Sequence, residues 1–415
     1  MAVSRDKALD AFRRRAPDML VQLQDALSAE PHDGALLIAM ATARVEAGTD
    51  DPLAGLREVL HQAPDWGDGH TAFARLQWEL GESSAALAEI EAALAKIPSN
   101  AGLLVRYMAL LSDAGEPKKA ADIASDLRGK AGENPDLILL EARYAGLAGD
   151  NGRAEKLFCM LSADWPEKAY DEARHRIRQN RIEEAELLLE TARKEHPGDI
   201  AVWALTEICW RSLSDDRHGW LLPKDNWHSQ VDLGLEPDEL AAIAAHLRSC
   251  HAANARPLGQ SVRGGTQTRG NLFLRGDPAM TELTERCSAA LSDYWNGWAG
   301  GDADHPAQRR GGDPPGIVTS WSILVKPPGY HVSHIHDSGI VSSACHIDLD
   351  YQSEDTGREG YLELGRPPSD LHLDCKPLVV VAPKPGHLVL FPSFVYHGTR
   401  PISSGERLTV AFDAI

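Results

Sequence analysis

At 415 residues, the chain is long enough for two or three domains that each bury a hydrophobic core. The hydrophobic fraction of 43% and the charged fraction of 25% are typical of a soluble globular protein. No apolar run approaches the roughly 20 residues that a membrane-spanning helix needs, so we expect no membrane association. The net charge of −19 argues against nucleic acid as a partner and weakly favours a basic peptide or protein.

The N-terminal residues and the cysteines both indicate a cytoplasmic protein. Residues 1–20 are charged and lack the apolar core and the cleavage site of a secretory signal. The six cysteines are scattered without any CxxC spacing. We therefore predict reduced thiols, with neither a disulfide framework nor a zinc site.

Two kinds of residue recur through the first half of the chain. Prolines return every 31 to 37 residues, at Pro31, Pro64, Pro98, Pro135, Pro166 and Pro197. A residue that tolerates the left-handed conformation at a helix end lies within each period, at Gly48, Gly81, Gly115, Gly149 and Asn180. The pattern predicts pairs of helices, each pair joined by a tight turn and closed by a proline.

An alanine also recurs five residues after the turn residue, at Ala86, Ala120, Ala154 and Ala185, where its small size permits close helix packing. These positions resemble the tetratricopeptide consensus over about residues 15–210, as about five repeats. Two departures are Leu53 in place of the first alanine and about three additional residues before Pro135. A generic bundle of amphipathic helices is the alternative.

The resemblance implies that residues 1–212 form an α-helical solenoid. Such arrays stack into a superhelix, and the first helix of each pair lines the concave face. That face usually binds an extended peptide or a helix. We therefore expect a protein or peptide partner there and no catalytic residues in this half.

The second half has a different pattern. Residues 212–234 read as an irregular connector, and helices are predicted over 237–250 and 280–298, the latter with an apolar face at every fourth residue. From Ile317 onward, seven or eight short β-type runs alternate with Gly/Pro turns, one of them at Pro327–Gly329. The strands predict an all-β barrel or a double-sheet jelly roll.

Three histidines on these predicted strands have the spacing of a metal site. His334 and His336 are two residues apart, so both side chains would share one face of a regular strand, and His397 follows 61 residues after His336. Nitrogen and oxygen ligands with open positions suit a redox-active iron. Arg407 lies ten residues beyond His397 with Thr409 two further on, and a guanidinium binds a carboxylate bidentately.

This constellation resembles the 2-oxoglutarate/Fe(II) oxygenase superfamily, and most closely its bacterial and phage HxH group. The resemblance is carried by HIHDSGIVSS, KPGHLVLFPSFVYHGTRP and RLTVAFD, and it extends to residues 261–273, whose role is open. It implies that residues 213–415 form a double-stranded β-helix (jelly-roll) domain with supporting helices. It also implies Fe(II) on His334, His336 and His397, and 2-oxoglutarate on Arg407 and Thr409, with O2 as cosubstrate and ascorbate as an additional reductant.

The metal ligands have two alternatives, because the wider superfamily uses a carboxylate where this chain has His336. Asp337 could replace His336, or the set could be His346, Asp348 and His397. The structural alternative is that all these histidines are ordinary strand residues with hydrogen-bonded rings.

The two halves together predict a dioxygenase that hydroxylates a protein or peptide side chain recruited by the repeats. No catalytic residue beyond the metal centre is expected. One alternative is a small-molecule oxygenase that uses the repeats for assembly, and the other is a scaffold with an inactive barrel.

Overall fold

The structure is a computed structural model that describes residues 3–165, 167–298, 302–308, 313–350 and 357–415. Pro166, one of the repeating prolines, lies outside these residues. No helix in the described parts of the chain is both long and apolar enough to cross a membrane.

Thirteen helices occupy the described residues between 5 and 213. Their bounds are α1 Arg5–Arg13, α2 Met19–Ala29, α3 Gly34–Glu46, α4 Ala54–Gln62, α5 Gly67–Glu79, α6 Ala88–Lys96, α7 Ala101–Asp113, α8 Pro117–Ala131, α9 Pro135–Leu147, α10 Asn151–Met160, α11 Lys168–Arg178, α12 Ile182–Glu195 and α13 Ile200–Leu213. Side chains of Asp33, Asn100, Asn134, Asp150 and Asp199 accept hydrogen bonds from backbone N–H groups at helix starts.

The turn residues of the repeats have the predicted conformation. The φ angles are positive at Gly48, Gly81, Gly115, Gly149 and Asn180. All four recurring alanines are fully or almost fully buried, and Leu53 fills the corresponding position of the first unit. A helical N-terminal half with this repeat geometry is therefore confirmed.

The helical array is longer than the five repeats predicted. Helices α1 and α2 form an additional pair before the first predicted unit, and α13 follows the last one. The turn after α1 passes through Arg15, which adopts φ 54° without being glycine or asparagine. This pair consequently lacks the residue type that revealed the others.

The second half combines three helices with nine strands in its described residues. The helices are α14 Arg217–Leu221, α15 Pro237–Ser249 and α16 Pro278–Trp298. The strands are β1 Ser229–Asp232, β2 Val262–Gln267, β3 Ile317–His331, β4 Val341–Leu349, β5 Leu362–Leu364, β6 Val379–Val381, β7 His387–Pro392, β8 His397–Thr399 and β9 Arg407–Ala414. Leu283, Cys287, Leu291 and Trp295 of α16 are buried, so its predicted apolar face packs inward.

The strands form two antiparallel sheets. The larger has the order β1-β7-β4-β9-β3-β2, and the smaller has the order β6-β5-β8. A C-terminal antiparallel β region is thus confirmed, while the jelly-roll topology stays a prediction.

Two local expectations in this half were wrong. The connector contains α14 and strand β1, which pairs with β7. The turn predicted at Pro327–Gly329 is part of the continuous strand β3, because β2 follows β3 across this position with a shift of register between Arg263 and Gly265.

The helical array and the β region share a hydrophobic core. A single cluster of buried side chains runs from Ala169 in α11 through Trp203 in α13 to Phe391 and Leu408 in the large sheet. Helix α13 ends at Leu213, next to the predicted domain division between residues 212 and 213, which stays a prediction. Packing therefore continues across the division.

Polar contacts also join the two halves at two places along the array. The Arg269 guanidinium lies 2.5 Å from the Glu79 carboxylate, and the Arg174 and Arg178 guanidinium groups each lie 2.9 Å from the Asp370 carboxylate. Glu79 belongs to α5, and Arg174 and Arg178 belong to α11. Both helices are the first of their pairs. The β region therefore contacts the first helix of two of the pairs.

Candidate metal centre

The strand ends bring the three predicted histidines together. His334 lies beyond the end of β3, and its backbone exchanges two hydrogen bonds with that of His397 at the start of β8. The expectation that His334 and His336 lie on a regular strand was therefore wrong. Gly398 permits this approach, since a Cβ atom there would lie 2.8 Å from the His331 carbonyl oxygen.

One nitrogen of each ring is held by an acceptor on the outside of the cluster. The Nδ1 atoms of His334 and His397 lie 3.0 and 3.1 Å from the carbonyl oxygens of Val332 and Val395. The Nδ1 atom of His336 lies 2.6 Å from Oδ1 of Asp413. A carbonyl or carboxylate oxygen only accepts, so each Nδ1 carries the proton and each Nε2 presents a lone pair.

The donor set fits a divalent transition metal. One ligand atom from each of the three rings lies within 4.8 Å of the others, and no further group of this kind occurs among the described residues. The Nε2 atoms of His334 and His336 are 3.1 Å apart. When two imidazole nitrogens each bind one metal at about 2.1 Å, with a nitrogen–metal–nitrogen angle of about 90°, they lie about 3.0 Å apart.

Burial keeps the rings of His334 and His397 neutral. Loss of solvent, and then the neighbouring His336, lower the pKa of His334 to about 3. Burial also lowers the pKa of His397 well below its ordinary value, with additional contributions from His334 and His336. Neutral imidazoles are the form that binds metal, so the site is ready for a cation at neutral pH.

Asp413 and Ser342 form an outer layer behind His336. The Ser342 hydroxyl donates to Asp413 Oδ1 at 2.9 Å and also contacts the Ser393 hydroxyl at 2.8 Å. Asp413 is only 7% exposed, and its Oδ1 atom lies 2.6 Å from His336 Nδ1. A carboxylate behind a metal-binding histidine fixes the ring and raises its basicity.

Arg407 and Thr409 line the same cavity as the histidines. The Arg407 guanidinium is buried, and it donates to the Gly360 carbonyl at 3.1 Å and to the Thr399 hydroxyl at 3.0 Å. These contacts hold the planar group in place at the wall of the cavity. A fixed guanidinium beside a hydroxyl suits a carboxylate ligand.

The cavity has about 590 Å³ of empty space, part of it open to solvent. Its lining combines the three histidines, Arg407 and Thr409 with Trp321, Ile323 and Val410. A mainly apolar pocket with a few fixed polar groups is typical of small-molecule sites. The cavity therefore combines metal-binding nitrogens with a fixed cation in one apolar pocket.

His346 lies in this cavity wall, opposite Thr409 in the strand register. The side chain is 1% exposed, and neither ring nitrogen has a hydrogen-bond partner among the residues that the structure describes. Burial, and then the charge of Arg407, lower the pKa of His346 to about 3. A neutral ring in this position can contact a cavity ligand.

The two alternative carboxylates lie elsewhere. Asp337 is exposed and accepts a hydrogen bond from Ser338. Asp348 is 41% exposed and lies 2.6 Å from the Arg248 guanidinium. Neither belongs to the histidine group, so the geometry favours His336 over both alternative sets.

Several residues of the site were not predicted from the sequence. Ser261, in the segment of open role, places its hydroxyl 3.2 Å from both His334 Nε2 and His331 Nδ1. Thr399 holds Arg407, and Asp413 and Ser342 hold His336. Asp413 lies six residues after Arg407, so counting along β9 could have placed it on the same strand.

The comparison with protein families identifies the same segment. Residues 319–413 match the family model described as "Putative 2OG-Fe(II) oxygenase". The matched residues include the three histidines, Arg407, Thr409 and Asp413. A comparison with curated proteins found no match.

Solved structures similar to this chain include oxygenases and a repeat protein. A prolyl-4-hydroxylase from Pseudomonas putida is 20% identical, with a TM-score of 0.32, over 45% of this chain and 91% of that one. A Trichoplax adhaerens prolyl hydroxylase in complex with a hypoxia-inducible-factor peptide is 15% identical, with a TM-score of 0.32, over 49% and 92%. A tetratricopeptide repeat protein from Parabacteroides merdae is 17% identical, with a TM-score of 0.38, over 51% and 86%.

Proposed function

We propose that the C-terminal domain, residues 213–415, is an Fe(II)- and 2-oxoglutarate-dependent dioxygenase. His334, His336 and His397 would hold the iron, and Arg407 with Thr409 would bind the distal carboxylate of 2-oxoglutarate. The observation that carries the proposal is the convergence of three imidazole lone pairs in the cavity that Arg407 lines. The family match over residues 319–413 supports the same chemistry.

The protein's contribution is to bind, orient and exclude water. When bound, iron and 2-oxoglutarate would use O2 to hydroxylate a substrate C–H bond, with release of succinate and CO2. The outer hydrogen bonds to Val332, Val395 and Asp413 would keep each Nε2 directed at the metal. Trp321 and Val410 would exclude water from the reacting centre.

A protein or peptide side chain is the substrate that we favour. Leu258 is buried in a cluster with Ala74, Leu103 and Leu110 of the array, and residues 260 and 261 immediately after it line the cavity. A substrate bound along the interior of the array would thus lie beside the mouth of the cavity. This arrangement supports recruitment of the substrate by the repeats.

Succinate release is the direct test of the substrate class. The full-length protein with Fe(II), 2-oxoglutarate, ascorbate and O2 should release succinate faster when a peptide library is added than when a metabolite mixture is added. Stimulation by metabolites alone would support the small-molecule alternative. No succinate under any condition, with no metal bound, would support the scaffold.

A further inference from the structure

A second concave surface lies outside the metal cavity. It is an open groove between residues 251–256 and β2, with about 1030 Å³ of empty space that includes open solvent. Strand β2 is the outermost strand of the six-stranded sheet. Gly264 and Gly265 of β2 line the groove and leave it free of bulky side chains on that side.

Two cations line this groove, and a third lies near it. Arg256 and Lys326 line it, and Arg263 is close enough to Arg256 to lower its pKa, after the larger effect of burial. The Arg263 guanidinium donates to the carbonyl oxygens of Gln260 and Val262, and the Arg256 guanidinium lies 5.5 Å from the ring centre of Trp78. Among the described residues, no carboxylate forms an ion pair with any of the three.

The local charge is opposite to that of the whole chain. The protein carries a net charge of −19, and most of its other arginines are paired with carboxylates, as at Arg174, Arg217 and Arg286. Cations without a carboxylate partner attract a short anionic segment. The surplus acidic groups on the remaining surface repel a long polyanion. The groove is therefore a positively charged patch that favours a short anionic segment over a long polyanion.

The groove leads toward the metal cavity. Ser261, which contacts His334 Nε2, is three residues from Gly264 in the groove, a distance of about 10 Å along a strand. Arg263 lies between them and pairs with Tyr330 on β3. A chain that lay in the groove could therefore continue to the cavity mouth.

We propose that this groove binds an acidic, extended segment of a polypeptide. The identification of this polypeptide as the substrate rests on the proposed function. Glu and Asp side chains would pair with Arg256, Arg263 and Lys326, while the chain direction would carry a neighbouring residue toward the cavity. This assigns a role to part of the 261–273 segment. It also makes the preferred partner acidic at this surface, although the net charge alone favoured a basic one.

Peptide binding to the full-length protein tests the proposal directly. The probe is a short fluorescein-labelled peptide of alternating Glu and Ser, compared by anisotropy with its Gln/Ser and Lys/Ser analogues. We expect the acidic peptide to bind most tightly and to lose affinity as salt is raised. Arg256→Gln and Lys326→Gln should each weaken binding about twofold to fivefold, whereas Lys130→Gln on α8 should have no effect.

Three results would overturn the proposal. The first is that the neutral or basic peptide binds as tightly as the acidic one. The second is that a single-stranded oligonucleotide of equal charge binds more tightly than the acidic peptide. The third is that Lys130→Gln weakens binding as much as the groove variants do. Lys326 is exposed, so its variant is expected to fold even if Arg256→Gln loses its contact with Trp78. Iron and 2-oxoglutarate titrations of the same samples report the proposed function separately. If iron and 2-oxoglutarate do not bind while the acidic peptide still does, the proposed enzymatic function is rejected and the peptide-binding groove stands.

Discussion

Asp413 Oδ1 lies 2.6 Å from His336 Nδ1, on the side of the ring that faces away from the other two histidines. The carboxylate is nearly buried, and the Ser342 hydroxyl donates to the same oxygen. In the superfamily that the sequence resembles, a carboxylate usually binds the metal, whereas here a carboxylate lies one hydrogen bond behind a histidine. Asp413 would thus supply negative charge to the metal site through the imidazole.

Asp413→Asn should weaken metal binding. The amide is isosteric but neutral, so His336 loses its charged acceptor, and loss of such outer partners typically costs roughly 10- to 100-fold in metal affinity. Anaerobic titration with Fe(II), or with Co(II) as a spectroscopic substitute, measures the change. Asp337→Asn is the matched control and should bind as the wild type does. Equal affinities for Asp413→Asn and wild type would contradict the role of Asp413.

Alanine substitutions test the ligand set itself. His334→Ala, His336→Ala and His397→Ala should each abolish tight iron binding, because three protein ligands are the minimum that holds iron with positions left open. Asp337→Ala and Asp348→Ala should retain iron, since both side chains point to other partners. Metal content by elemental analysis decides the question. Loss of iron in Asp337→Ala alone would restore the two-histidine, one-carboxylate site.

Arg407→Lys should weaken 2-oxoglutarate binding without affecting iron. Lysine keeps the charge but loses the planar, bidentate geometry, which we expect to cost on the order of 2–3 kcal/mol, roughly 30- to 150-fold. The apparent 2-oxoglutarate constant and the iron content are measured on the same variant. Arg400→Lys is the control, because Arg400 pairs with Glu363. A larger effect in Arg400→Lys would move the carboxylate site to Arg400.

Acid should destabilise the metal-free protein through buried histidines. Burial lowers the pKa of His346 to about 3 and that of His251 to about 4, from 6.5 when unfolded. As the pH falls from 6.5 toward 4, the unfolded chain binds protons that the folded chain does not. The free energy of unfolding should therefore fall, by on the order of 1 kcal/mol per pH unit for fully buried His346.

Urea unfolding at several pH values from about 7 to about 4 measures this dependence. His346→Gln should reduce the slope, and His32→Gln, at an exposed position, should not. An unchanged slope in His346→Gln would show that the ring is protonated equally in both states.

The repeats were predictable because their signals are local. A glycine or asparagine in a left-handed turn and an alanine in a close helix contact each act within one helix pair. The pair α1–α2 was missed because Arg15 takes the left-handed conformation without the usual residue type. Helix α13 lies within the predicted array of residues 1–212, although it was not assigned to a helix pair.

The candidate site was only partly predictable. His334, His336, His397 and Arg407 could be recognised from motif order, but Asp413 reaches His336 through the register of β4 and β9, where Ser342 is opposite Asp413. Ser261 likewise arrives from the end of a different strand. Contacts set by the pairing of distant strands leave no short-range pattern, so they appear only in the folded chain.

The most direct test of the account is an anaerobic titration of the full-length protein with Fe(II) and then 2-oxoglutarate, followed by visible absorption. A weak charge-transfer band of the Fe(II)–2-oxoglutarate chelate should appear in the wild type and be absent in His397→Ala. In Arg407→Lys the same band should appear only at higher 2-oxoglutarate concentration. The absence of any band in the wild type at millimolar ligand would contradict the assignment of an iron and 2-oxoglutarate site to this cavity.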